Sequence, residues 1–403
     1  MWNLVKKAIK RCWLWIFWAS WCLWMAKLSF YWSVSKCKLP KRENSTRVLI
    51  VADPQLTDFY SYKQSDGLLL EATQFISDFY MKKSFSTIIK DSAPDIIVFL
   101  GDLMDGGREI QTDVEYFKEF TRFNHVFKTD KTESIKLFMA GNHDIGISII
   151  GDAYKRFIKN FGELNQEVKI GNTNLVLLDT IGLLAKADSA QYKNSVEFLH
   201  RNRTGSNILF THIPLYRKDG MYCGSLRGSR SIKQGRGYQY LNLIPQQLSQ
   251  EILTKIQPVL TLSGDDHDDC VLVHDLDSIK FVEHTLPTFS WLQGNFNPGY
   301  GVIQITHIGN SDEIFSNICF LPSQMWMYVN SIIFLIITIV LFCLNSQKRK
   351  QQYELLPTYG NVRITRTSRN SSRKLDYSIG SFLKLVLFVL IFYFVLIIYD
   401  YNS

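Results

Sequence analysis

Six short apolar runs along this chain each stop at Asp, Asn or His, and this recurrence constrains the fold more than any other feature. Val48-Leu49-Ile50-Val51-Ala52 ends in Asp53-Pro54-Gln55, and Ile96-Ile97-Val98-Phe99-Leu100 ends in Gly101-Asp102. Residues 135–140 lead into Gly141-Asn142-His143-Asp144, 175–178 into Asp179-Thr180, 208–210 into Thr211-His212, and 259–262 into Ser263-Gly264-Asp265-Asp266-His267-Asp268. Runs of this length and β-branched content read as buried strands. Longer mixed segments separate them, which predicts an α/β domain. One carboxylate after one strand is most simply a cap for the next helix. Six polar ends in succession point instead to chemistry gathered at the C-terminal edge of a sheet, where open α/β sheets keep it.

The formal net charge is +8 over 403 residues. Residues 48–323 hold 26 Lys and Arg against 33 Asp and Glu, a net of −7, so the positive excess lies in the flanks. Nucleic acid is therefore not an expected partner; basic flanks beside apolar stretches point to a membrane. Residues 1–11 carry Lys6, Lys7, Lys10 and Arg11 with no acid, and 12–35 form a tryptophan-rich stretch broken by Lys27. This is long for a signal-peptide core and lacks a clean small-x-small cleavage site, so it reads as an uncleaved anchor. Residues 325–344 and 381–399 are two further apolar runs, separated by a basic segment, 345–380, that reads as a disordered cytosolic loop. Three spans place 1–11 in the cytosol and both 36–324 and the tail 400–403 in a lumen. Sequons at Asn44 and Asn202 fall in that lumenal region. Such a location permits a disulfide among Cys223, Cys270 and Cys319, without selecting a pair. No CxxC pair is present, so a structural zinc site is not expected.

Carboxylate, carboxamide and imidazole are the donors that hard and borderline divalent cations take. A bridging carboxylate holds two such ions about 3.5–4 Å apart, where they clamp phosphoryl oxygens and activate water. Asp53-x-Gln55, Gly101-Asp102, Gly141-Asn142-His143-Asp144, Thr211-His212 and Gly264-Asp265-Asp266-His267 together resemble the five signature blocks of the calcineurin-like metallophosphoesterases, in the family's order. The resemblance covers residues 48–310 and implies a β-sandwich flanked by helices (αββα), here with transmembrane helices at both ends. It also implies that Asp53, Gln55, Asp102 and His267 surround one metal. Asp102 would bridge to a second held by Asn142, His212 and Asp265, while His143, oriented by Asp144, faces the phosphate. Gln55 and Asp265 stand where the family has histidines. Both keep an oxygen donor, which shifts the preference of the two ions toward Mn²⁺ and away from zinc.

Those two departures, D-P-Q and G-D-D-H-D, together with the flanking spans, resemble the fungal phosphodiesterases of the secretory pathway that remodel GPI anchors. The implied function is removal of an ethanolamine-phosphate branch from a mannose of the GPI glycan during GPI-protein maturation and ER-to-Golgi transport. The enzyme would be multi-pass in the endoplasmic reticulum or early Golgi membrane. Its partners would be GPI-anchored proteins or the GPI glycolipid, membrane lipid and, as further candidates, cargo receptors. Two alternatives keep the fold: hydrolysis of another phosphoester or phospholipid head group, or a non-catalytic cargo or scaffold role. Arg108 is a candidate to pair with a phosphate oxygen, the other reading being a solvated arginine on a turn. Residues 216–242, with Arg217 among several basic residues, are too long for a plain connection and read as a lid over an anionic substrate or as an exposed basic loop. Asp266, Asp268 and Asp269 read as supporting or solvated groups.

Overall fold

A computed structural model describes residues 2–40, 42–62, 67–129, 134–148, 150–276, 279–309, 311–354 and 369–402. The chain divides into two compact units, one formed by Met1–Ser29 with Gln324–Ser403 and the other by Phe30–Ser323.

The larger unit is built on two sheets. The strands β1 (Ser45–Val51), β2 (Ile96–Phe99) and β3 (Ile135–Phe138) run parallel. The chain then crosses to the second sheet with β4 (Gln166–Ile170), β5 (Thr173–Leu177) and β6 (Ser206–Phe210). A two-residue hairpin, β7 (Arg236–Gly237) and β8 (Tyr240–Leu241), intervenes. The second sheet resumes with β9 (Pro258–Ser263), β10 (Cys270–Leu276) and β11 (Ile279–Thr285). The chain returns to the first sheet with β12 (Gly299–Ile308) and β13 (Ser311–Phe320), giving the orders β13-β12-β1-β2-β3 and β10-β11-β9-β6-β5-β4.

Alternation decides which face each side chain joins. Val48, Ile50, Ile96 and Val98 of the first sheet meet Leu177, Ile208, Phe210 and Leu262 of the second in a dry interior. The opposite faces are covered by helices. Leu49, Val51, Ile97 and Phe99 join one cluster with Phe85 and Ile88 of the helix Leu68–Ser92 and Phe123 of the helix Asp113–Val126. The second of these helices starts where Thr112 accepts from the Glu115 amide at 3.2 Å, with Asp113 and Glu115 in its first turn. Val176 and Leu209 face Phe198 and Ile252 from the helices Ala190–Leu199 and Gln246–Ile256. The order is thus helix, sheet, sheet, helix, as the resemblance implies. It brings the C-terminal ends of the parallel strands together.

In the smaller unit the helix Trp2–Leu23 packs with Gln324–Glu354 and Arg369–Asn402. The Trp18 indole donates to Thr338 Oγ1 at 2.9 Å, Phe17 stacks on Phe334 and Trp15 meets Phe388 edge-on. Lys27, the charge inside the first expected span, pairs with Asp400 at 3.2 Å. Among the described residues, two helices are long and apolar enough to cross a membrane: Gln324–Leu341 and Leu383–Tyr401, with mean hydropathies of 1.9 and 2.4. The N-terminal stretch is helical, with a π-helical turn at Trp24–Leu28 in the middle of the expected span. The expected loop 345–380 is described only at its two ends. Residues 345–354 and 369–380 extend the flanking helices, and the remainder lies outside the described residues.

Cys37 and Cys319 are bridged, their Cα atoms 5.5 Å apart, and tie the entry of the larger unit to its last strand. Replacing both with serine is expected to cost about 2–4 kcal/mol. A fall in the thermal midpoint of the detergent-purified chain checks this, and an unchanged midpoint refutes it.

Candidate metal centre

The loops that follow the strands are zipped to one another before any side chain is considered. Gln55 N donates to Asp102 O at 2.8 Å, Leu56 N to Leu103 O at 3.2 Å, and Asp105 N to Leu56 O at 3.2 Å, joining the ends of β1 and β2. Gly264 N donates to His212 O at 2.9 Å, joining the ends of β6 and β9. Crossing loops need room: a Cβ on Gly101 would lie 2.7 Å from Gly141 N, and one on Gly141 only 2.1 Å from Asp102 Oδ1.

Asp102 is at the middle. Its Oδ2 accepts from the Gln55 amide at 2.8 Å and its Oδ1 from the His143 backbone N–H at 2.8 Å. His212 donates Nδ1–H to Leu100 O at 2.7 Å, so Nε2 is the ring nitrogen turned toward the acids. That Nε2 stands 3.2 Å from Asn142 Oδ1, 3.4 Å from Asp102 Oδ1 and 3.5 Å from Asp265 Oδ1. Asp53 accepts the Asp265 N–H at 3.0 Å, and ligand atoms of Asp53, Asp102 and His212 lie within 4.8 Å of one another. Gln55 Oε1 is buried without a hydrogen-bond partner, an arrangement costing about 1–3 kcal/mol unless a cation or water satisfies it.

The electrostatics follow from packing three acids around one imidazole. Burial lowers the His212 pKa, but Asp102, Asp265 and Asp53 together hold it well above the ordinary histidine value. Burial pushes the Asp53 carboxyl well up, against the pull of His212. Asp102 is held below the usual carboxylate range despite its burial, by His212 and His143. His267 is kept below the ordinary histidine value by burial and so remains a neutral donor. Carboxylate, carboxamide and imidazole donors of this kind suit divalent cations. Backbone strain points the same way. Nine non-glycine residues among those described have positive φ, and five are Asp53, Gln55, Asp102, Asp265 and His267, at +37 to +69°. Strain of about 1–3 kcal/mol each persists only where the surroundings impose it.

The calcineurin-like phosphoesterase model matches residues 46–269, more than half of the chain and the whole of this constellation. The protein belongs to that family. It is 38% identical over 274 residues to the Saccharomyces cerevisiae protein named cell division control protein 1, covering 63% of this chain and 56% of that one. The chain therefore spans little more than half the length of the yeast relative. It is 27% identical to the Caenorhabditis elegans metallophosphoesterase 1 homolog (81% and 91% covered) and 26% identical to Xenopus laevis metallophosphoesterase 1 (77% and 82%).

The geometry corrects three of the expectations drawn from the sequence. Asp144 does not orient the His143 ring. Its carboxylate accepts from Leu103 N, Met104 N and Gly141 N, fastening the β2 loop to the short helix Asn142–Ile145, and burial and Asp102 push it up to about 7. The ring is held by Asp105, whose carbonyl lies 2.5 Å and whose carboxylate lies 3.3 Å from His143 Nδ1. Burial opposes the charge on His143, but Asp102 and Asp105 raise it to about 9. The signal for Asp105 was its place three residues after Asp102.

Arg217 is not presented to a substrate. It is buried against Glu283 at 2.8 Å, and Glu283 also accepts from His274, Leu215 N and Ser263. Asp179, at the sixth strand end, is a helix cap accepting from Gly182 N at 2.8 Å. Arg108 does reach the site, donating Nη1 to Asn142 O at 2.9 Å. Asp266 accepts from Arg227 at 2.5 Å and Asp268 from Ser229 N at 2.7 Å, so these acids hold residues 216–242 in place.

Gly141→Ala is expected to abolish retention of divalent metal, measured by elemental analysis after desalting. Gly151→Ala, whose Cβ would meet nothing within 4 Å, should leave it unchanged. Glu283→Ala, which strands the Arg217 charge, should cost about 3–5 kcal/mol in thermal denaturation. Arg217 and His274 outweigh burial and lower Glu283 from 4.5 to about 2. Its contribution is therefore complete above pH 4.5 and lost as pH falls through about 2. A variant with the same acid-denaturation profile as wild type would refute this assignment.

Proposed function

We propose that this chain is a membrane-anchored, lumenal phosphodiesterase that removes an ethanolamine-phosphate branch from a mannose of GPI anchors, in the endoplasmic reticulum or early Golgi. The observation that carries the chemistry is the buried cluster of Asp53, Asp102 and His212, whose ligand atoms lie within 4.8 Å of one another; in this reading Asp102 is shared by Asp53, Gln55 and His267 on one side and Asn142, His212 and Asp265 on the other. The oxygen-rich balance favours Mn²⁺ as the metal. Two disulfides, Cys37–Cys319 and Cys223–Cys270, support an oxidising compartment, and both sequon asparagines, Asn44 and Asn202, are exposed. Two apolar helices support the anchor. The three-span arrangement, with 1–11 and 345–380 cytosolic, belongs to this reading.

When bound, the two ions would supply Lewis acidity toward the phosphoryl oxygens and an activated water. The chain's own residues do the rest. Arg108, braced on the Asn142 carbonyl, is placed to pair with a phosphate oxygen. His143, its Nδ1 facing Asp105, has Nε2 as the atom able to pass a proton to the departing mannose oxygen. Water oxygen bonds to phosphorus and loses one proton to solvent, the bond from phosphorus to the mannose oxygen breaks, that oxygen takes a proton from His143, and His143 recovers a proton from solvent as ethanolamine phosphate leaves. Asp144 acts as a positioning residue by fastening the loop that carries Asp102.

His143→Ala is expected to lower kcat about 10²–10⁴-fold without loss of expression. In cells lacking the protein, mass spectrometry should find GPI anchors with one additional ethanolamine phosphate, removed by wild type and retained with His143→Ala. Unchanged glycans in every strain would overturn the GPI assignment and direct a screen of other phosphodiesters and phospholipid head groups. Full rescue by His143→Ala would favour the scaffold role.

A further inference from the structure

Residues 216–242 leave the second sheet after His212 and return before the helix Gln246–Ile256, and beyond the buried Arg217 at their start they are fixed at three places. Cys223 is bridged to Cys270, with Cα atoms 4.4 Å apart, and Val271 N donates to Cys223 O at 3.1 Å. Arg227 is paired with Asp266, while Gly228 N and Ser229 N share Asp268 Oδ2 at 3.0 and 2.7 Å. The third attachment is at the metal centre. Gln239, in the turn between β7 and β8, accepts from Asn142 Nδ2 through its backbone carbonyl at 3.0 Å. Its side-chain Oε1 accepts from Ser148 N at 3.1 Å.

The contact to Asn142 has a chemical consequence. A backbone carbonyl only accepts, so the amide nitrogen of Asn142 must face it, and Oδ1 must face His212 Nε2, 3.2 Å away. Without that acceptor the amide is free to turn over and present an NH₂ group, which cannot ligate a cation. Gln239 adopts φ +56°, a value that turns its carbonyl inward and that a β-branched residue resists. Beyond Arg217 at its start, the segment has a small apolar core of its own. Its apolar cluster is Cys223, Ile232, Leu243 and Cys270, two of which are the bridge itself.

We propose that residues 216–242 are a strap that orients Asn142, so that the metal position shared by Asp102, Asn142, His212 and Asp265 is complete only while the Cys223–Cys270 bridge is closed. This rests on the dinuclear reading above. It makes Gln239 a positioning residue and couples metal affinity to the redox state of a disulfide that contains no metal ligand.

The test is calorimetric titration of the metal-stripped, detergent-purified full chain with Mn²⁺, which reads stoichiometry and affinity without activity. Wild type should take up two equivalents. Cys223→Ser with Cys270→Ser, and separately Gln239→Val, should each weaken one of the two equivalents about 10–100-fold and leave the other in place. Gln239→Gly tolerates positive φ and keeps the carbonyl, so it should bind like wild type. If Gln239→Val binds both ions as wild type does while Asn142→Ala loses one, the strap is refuted and the ligand reading stands. If Asn142→Ala also binds two ions normally, Asn142 is no ligand and both fail. The single change Gln239→Val keeps the test decisive should the cysteine variant not fold.

Discussion

Everything at this site depends on one buried carboxylate. Asp102 is almost without solvent, carries positive φ, and receives a carboxamide, a backbone N–H and an imidazole from three other loops. A lone carboxylate at that depth would protonate rather than stay charged. Its neighbours keep it ionised, and in turn their loops must approach so closely that Gly101 and Gly141 cannot carry a side chain. The sandwich supplies the approach: parallel strands of both sheets end at one edge, and loops too short to wander cross there.

Much of this was legible in the sequence because strand ends are local signals. A buried run, a glycine and a polar residue can be read within ten positions, and five of the six such ends lead to the metal centre. What was not legible depended on contacts far apart in the chain. Arg217 looks like one basic residue among several in a polar loop; only its pairing with Glu283, 66 positions away, makes it a core residue. Disulfide pairing was hidden for the same reason, since Cys37 finds Cys319 across 282 residues. The misreading of Asp144 was of a different kind. Adjacency suggested a partnership with His143, but neighbours on a helical turn point apart, and Asp144 reaches back to the N–H of its own helix start.

Stability and function are distributed unevenly. The dry interior between the sheets and the aromatic layer beneath the helices hold the scaffold, while the strained backbone is concentrated at the candidate metal ligands. Of the nine positive-φ residues, Gln239 is the sixth tied to the centre, through its carbonyl on Asn142. The buried Arg217–Glu283–His274 network lies behind this edge, joining the start of residues 216–242 to β9, β10 and β11.

The position of β1 sets a timetable for biosynthesis. This strand carries Asp53 and Gln55 at its end and lies between β2 and β12, so one of its hydrogen-bonding edges stays open until Gly299–Ile308 has emerged from the ribosome. The first sheet is therefore closed by nearly the last element of its unit to be made, and Cys37 meets its partner only after that. For most of its synthesis the nascent domain exposes an apolar strand edge, the kind of surface on which chains pair wrongly.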